Sequence, residues 1–144
     1  MNISRKQQGF TLLEIIVVVA IIAILAAYIA PKVAGRVDDA RISKAKSDIR
    51  VLESSLELYK LDNFVYPSTD QGLEALVNKP AGDAAKNWRD GGYIKKLTKD
   101  PWGNEYRYVY PGSNGEFDVF SLGADAAVGG DGEAADIGNW NIDS

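Results

Sequence analysis

The chain has no histidine and no cysteine. Ser-His and Cys-His nucleophile pairs, histidine metal sites and disulfides are therefore excluded, and the chemistry left falls chiefly to carboxylates. Two carboxylate placements are unusual. Glu14 sits near the start of an apolar run from Gly9 to Pro31 that carries no charge between Ile15 and Ala30. An acid inside a membrane-length run costs roughly 3 kcal/mol even on lenient insertion scales, which marks it as functional by default. At the other end, Asp125, Asp131, Glu133 and Asp136 are set among Gly123, Gly129, Gly130, Gly132 and Gly138. Four acids on such a loop repel one another unless they are solvated or joined by a cation. Ca²⁺ takes about six to eight oxygens from carboxylates and backbone carbonyls, and glycines let a chain wrap around it. The spacing is not that of an EF-hand, so a solvated acidic loop is the competing reading. A hydrolase working through paired carboxylates is the enzymatic option that remains.

The element that positions Glu14 is the apolar run itself. Counted from Phe10 as a helix rising ~1.5 Å per residue, it is about 30 Å long, one bilayer core. Arg5 and Lys6 precede it. A secretory signal would end in a small-x-small site, but the alanines at 20, 23, 26, 27, 30 and 34 never fall two apart. A plain anchor accounts for the length and leaves Glu14 unexplained. The third reading is a span that uses Glu14. Lys32, Arg36, Arg41, Lys44 and Lys46 outnumber the two cations before the span. Long domains cross membranes largely regardless of such counts, so they do not orient the chain.

Beyond the span, Ile42, Ala45, Ile49, Leu52, Leu56 and Tyr59 recur at spacings of three and four. Their periodicity predicts one long helix from about Phe10 to about Leu61, its second half lying on a domain through this stripe. Pro31 removes one backbone donor and is expected to kink or loosen the helix near Ala27. Ala20, Ala23, Ala27, Ala30 and Ala34 form a second register of small residues, suited to close helix packing in a membrane or simply common in apolar helices. Ser68-Thr69-Asp70 can cap a short helix bearing Leu73, Leu76 and Val77 before Pro80. Asp100-Pro101-Trp102-Gly103-Asn104 reads as a turn. Tyr106–Tyr110 and Phe117–Leu122 alternate around Pro111–Gly115, which predicts a β-hairpin whose aromatics pack against the long helix.

The 144 residues make one domain plus the span, and the formal net charge is −4. Loss of Arg5 and Lys6 would take that charge to −6. No concentrated basic patch exists to neutralise phosphates, which argues against a nucleic-acid partner.

The string Gly9-Phe10-Thr11-Leu12-Leu13-Glu14 followed by an apolar helix resembles the class III signal of type IV pilin-like proteins. Further along, Tyr66-Pro67, Gln71–Val77, Asp100-Pro101-Trp102-Gly103, Ser121–Asp125 and Asp136–Trp140 resemble the major pseudopilins of bacterial type II secretion systems. The resemblance runs from Gly9 to Trp140. It implies an α+β, type IV pilin-like fold, with a long N-terminal helix packed on a small antiparallel β-sheet domain. The implied divisions are a leader at 1–9, a transmembrane and assembly helix at 10–31, and a periplasmic domain at 32–144. A prepilin peptidase would cut between Gly9 and Phe10 and methylate the Phe10 amine. Copies of the chain would then assemble with minor pseudopilins, on an inner-membrane assembly platform, into a filament supporting export of folded proteins. A surface type IV pilin is the related alternative; those usually carry a C-terminal disulfide loop, which a chain without cysteine cannot form. The resemblance also implies Ca²⁺ in the C-terminal loop, held by Asp125, Asp131, Asp136 and the carbonyls of Leu122 and Val128. Ala126-Ala127-Val128 departs from the family at the middle of that loop, where glycine commonly follows Asp125.

Once Gly9 is removed, the Phe10 ammonium is a cation beside an apolar phase, and Glu14 of a neighbouring copy is the acid available to pair with it. Intact mass of the membrane-extracted chain tests the first step. A chain beginning at methylated Phe10 is expected; one still beginning at Met1 in a peptidase-competent host would refute it.

Overall fold

The computed structural model describes residues 9–83 and 85–143, apart from the side chain of Ala34. The leader cations Arg5 and Lys6, and the last member of the alanine register, therefore lie outside the described residues. One helix dominates: α1, Leu12–Asn63, 52 residues long and helical without interruption through Ala27 and Pro31. It starts two residues later than the periodicity suggests. Thr11 explains this, since its Oγ1 accepts the Glu14 backbone N–H at 3.2 Å and satisfies a donor that the first turn leaves open. At the far end Phe64 takes a left-handed φ of 63° and gives its N–H to the Lys60 carbonyl at 2.7 Å. That local cap ends the helix without a glycine.

Two compact units divide the chain, one ending at Val37 and the other beginning at Asp38. In the first, every described side chain from Phe10 to Val33 is exposed, and the helix is long and apolar enough to cross a membrane. In the second, three short strands form a sheet: β1 (Arg107–Val109), β2 (Asp118–Ser121) and β3 (Ile137–Gly138). They pair antiparallel in the order β1-β2-β3, with Tyr108 opposite Val119 and Ser121 opposite Ile137. The expected hairpin is present, trimmed at both ends. The third strand extends it, and two residues are too few for any alternation to announce them.

The core is the expected one. Ala45, Ile49, Leu52, Leu56 and Tyr59 of α1 are buried together with Tyr66, Tyr106, Tyr108, Phe117, Val119 and Ile137. Buried tyrosines bring both an apolar ring and a hydroxyl to the core, and those of Tyr66, Tyr106 and Tyr108 find partners, whereas the Tyr59 hydroxyl is buried without one. Tyr106 donates to Asp48 of α1 at 2.9 Å, and Tyr108 to the Pro67 carbonyl at 2.8 Å. Burial, and then the Asp48 carboxylate, push the Tyr106 phenol well above its ordinary range, so it remains a donor.

The expected helix after Ser68 is instead a 3-10 turn, Leu73–Leu76, without a side-chain cap. Ser68 and Gln71 satisfy each other across the preceding turn, Ser68 Oγ accepting from Gln71 N–H and Gln71 Oε1 from Ser68 N–H. Thr69 is drawn away, its Oγ1 exchanging hydrogen bonds with the backbone of Tyr110 just after β1. Leu73 and Leu76 are buried as the pattern requires.

Leu56 is wholly buried, whereas Val51 on the same helix is 56% exposed. Leu56→Ala is expected to destabilise the domain by about 2–5 kcal/mol, and Val51→Ala by less than about 0.5 kcal/mol. Urea denaturation of the detergent-solubilised chain measures both. Equal midpoint shifts would contradict the assignment of the two faces.

Candidate functional site

At the N-terminus, Phe10 is exposed and Gly9 has nothing within van der Waals reach of a would-be Cβ. The backbone there is open. Glu14 is exposed in the first turn of α1, where the helix dipole favours an acid. Thr11-Leu12-Leu13-Glu14 has the spacing of a capping box, and its threonine half is formed. The Thr-x-x-Glu spacing carries that role in the sequence, beside the reading of Glu14 as a charge in an apolar run.

The C-terminal loop is built on two buried carboxylates that fix its approach. Asp100 accepts the N–H groups of Trp102 and Asn104 on Oδ1, at 3.1 and 2.8 Å. Its Oδ2 takes the Ser121 hydroxyl at 2.6 Å, and Ser121 Oγ in turn accepts the Gly123 N–H. The proline turn is thereby locked to the end of β2. Asp118 holds the other end of the hairpin by accepting the N–H groups of Ser113 and Asn114. Neither appeared as a site in the sequence, since a buried acid and a surface acid look alike there.

Leu122, half-buried, follows Ser121 and begins the loop. Gly123 has φ 66°, and a Cβ on it would lie 2.6 Å from the Glu133 carbonyl. Gly130 is as constrained, with φ 89° and a would-be Cβ 2.5 Å from the Ala134 carbonyl. These two glycines let the limbs of the loop close on each other. Asp125 accepts the Ala127 N–H at 3.1 Å. Asp136 accepts the Gly129 N–H on Oδ2 at 3.0 Å, while its carbonyl takes the Asn141 amide. Asp131 is exposed and precedes the 3-10 turn Gly132–Ala134 without capping it. Val128 turns its side chain outward, at 88% exposure.

Among the described residues, three or more carboxylates are not gathered into a ready-made metal cluster. One observation nevertheless suits a cation. Asp136 Oδ1 is buried with no hydrogen-bond partner, which is costly for a carboxylate oxygen unless something positive faces it. The groups that the resemblance names, carboxylates of Asp125, Asp131 and Asp136 and loop carbonyls, are all oxygen, the chemistry a hard ion of the Ca²⁺ type would take.

Glu133 departs from the acidic set. Its Oε1 accepts from Arg41 Nη1 of α1 at 3.1 Å and from the Trp102 indole N–H at 3.2 Å. These two hydrogen bonds hold its carboxyl below the usual range.

A long helix with an uncovered apolar start, carried on a small domain with a three-stranded antiparallel sheet, defines a pilin-like subunit. The family described as Type II secretion system (T2SS), protein G matches residues 32–140, and the Prokaryotic N-terminal methylation motif matches residues 4–30. The chain is 58% identical to a type II secretion system core protein G of Vibrio cholerae, over 99% of this chain and 97% of that one. The figures for its counterpart in Pseudomonas aeruginosa are 57%, 95% and 97%. A crystal structure of the major pseudopilin of enterohaemorrhagic Escherichia coli superposes with a TM-score of 0.66 at 44% identity, over 74% of this chain and 92% of that one. The chain belongs to the type II secretion protein G family, the major pseudopilins.

Ser121→Ala leaves Asp100 Oδ2 without its donor and is expected to cost about 1–3 kcal/mol. An unchanged urea midpoint for that variant would show that the buried pair does not hold the loop's base.

Proposed function

We propose that this chain is the major structural subunit of a type II secretion pseudopilus. It is made with the leader 1–9, cut after Gly9 and methylated on Phe10 by a prepilin peptidase. Its apolar helix holds it in the bacterial inner membrane as a single span, with the domain in the periplasm. Copies then polymerise, together with minor pseudopilins and on an inner-membrane assembly platform, into a filament that supports export of folded proteins. The observation that carries this reading is the ordered pair of family matches, methylation motif over 4–30 and protein G over 32–140. The wholly exposed apolar helix supports it, since such a surface calls for lipid or sister helices as cover. The role is structural rather than catalytic. A surface type IV pilin and a carboxylate-pair hydrolase remain the rivals to be separated by experiment.

Glu14 supplies the assembly chemistry. The Phe10 ammonium created by cleavage stays charged after methylation, and Glu14 of a neighbouring copy offers the opposite charge. Each relieves the other's desolvation in an apolar surrounding. Asp125, Asp131 and Asp136, with the Leu122 and Val128 carbonyls, would hold Ca²⁺. A bound ion supplies positive charge to a loop that is otherwise self-repelling, and Asp136 Oδ1 gives it an unsatisfied oxygen to meet.

Expression in a secretion-competent strain lacking its own major pseudopilin tests the whole. Periplasmic filaments and restored export are expected. Their absence, or hydrolytic activity on a broad substrate panel, would overturn the reading. Glu14→Ala should leave cleavage intact and abolish or weaken filament growth; normal filaments would refute the pairing. Removing calcium should lower the melting temperature, because an ion at a hundredfold excess over Kd adds about 2.7 kcal/mol. Asp125→Ala should reproduce that loss with calcium present, and superimposable melts in calcium and chelator would return the loop to a solvated acidic segment.

A further inference from the structure

Of the four acids in the C-terminal loop, Glu133 alone is committed elsewhere. Its Oε1 takes donors from two distant segments, Arg41 on α1 and Trp102 in the turn that Asp100 fixes. Asp38, one helical turn before Arg41, lies 3.7 Å from the same guanidinium nitrogen. The main chain of Glu133 is committed as well. Its carbonyl accepts the Ala124 N–H at 2.8 Å and sits against Gly123 so closely that no side chain fits there. One residue thus ties the exit limb of the loop to its entry limb, to the Asp100–Asn104 turn and to α1.

An isolated surface ion pair would be worth little. This one differs in that a single oxygen is shared by two donors, and the carboxylate is only 28% exposed. The Arg41 contact spans 92 residues of sequence. With Oε1 held by both donors, the carboxylate is anchored toward α1 and the Trp102 ring. We propose that Glu133 is the positioning residue of the cation loop, a clamp to α1 and Trp102 that holds Leu122 and Asp125 on one limb within reach of Asp131 and Asp136 on the other, without itself being a ligand. The proposal rests on the calcium reading above, and outer-shell groups of this kind typically set metal affinity by about tenfold or more.

The test uses the full chain in detergent micelles and three variants: Glu133→Ala, Arg41→Ala and Trp102→Phe, the last keeping the ring and removing the donor. Calcium affinity is measured by calorimetric titration, and amide exchange of residues 123–136 is measured without calcium. Weakening of the calcium Kd by about tenfold is expected for Glu133→Ala and Arg41→Ala, with a smaller loss for Trp102→Phe. The double variant Glu133→Ala/Arg41→Ala should be no weaker than Glu133→Ala, since both remove one clamp. Exchange in the loop should quicken in all three variants. Unchanged affinity and unchanged exchange in the variants would overturn the clamp while leaving the calcium reading intact. Weaker binding in Glu133→Ala with equal or tighter binding in Arg41→Ala would also overturn it, by making Glu133 a ligand that Arg41 restrains. A parent chain that binds no calcium sinks the calcium reading, and exchange alone then decides the clamp. If Glu133→Ala does not fold, Arg41→Ala and Trp102→Phe decide it.

Discussion

Everything in this molecule follows from a helix that its own chain leaves half uncovered. From Phe10 to Val33 no described side chain is shielded from solvent by another part of the protein. A large aliphatic side chain left in water forgoes about 1.5–3 kcal/mol, and this segment has more than a dozen of them. An apolar helix of this length is suited to cover by lipid or by other helices.

The second half of α1 solves a different problem. Only one stripe of it is apolar and buried, and it is backed by tyrosines whose hydroxyls return to the helix or the neighbouring loops. With so small a sheet, the domain relies on two buried carboxylates to hold its turns. Asp100 collects donors before β1, and Asp118 collects them at the hairpin tip. A buried carboxylate is stable only when its oxygens are fully engaged, and here backbone N–H groups do most of that work. The cost of burying the charge is offset by turns that cannot open without exposing several unpaired groups together.

The C-terminal loop inherits its rigidity from these anchors. Ser121 joins Asp100 to Gly123, Glu133 closes the far limb on the near one, and Asp136 runs directly into β3. Few of its own side chains are buried. It is held by its attachments more than by a core of its own.

Local periodicity was enough to read the helix, its buried stripe and the β-hairpin, because those depend on residues a few positions apart. The positions of Ile49, Leu56 and Tyr59 on one face follow from 3.6 residues per turn alone, and the alternation of Tyr106, Tyr108 and Phe117 to Val119 follows from the strand pleat. The oddity of Glu14 was likewise visible, since it is a charge within a run that has no other. Only the folded chain decided the rest. Strand β3 is two residues long and exists because β2 offers it an edge. Glu133 reads in sequence as one more acid in an acidic loop; the tertiary structure turns it toward Arg41 and Trp102. Those contacts join residues 92 and 31 positions apart, and no short-range pattern encodes which of several like charges an arginine that distant will select.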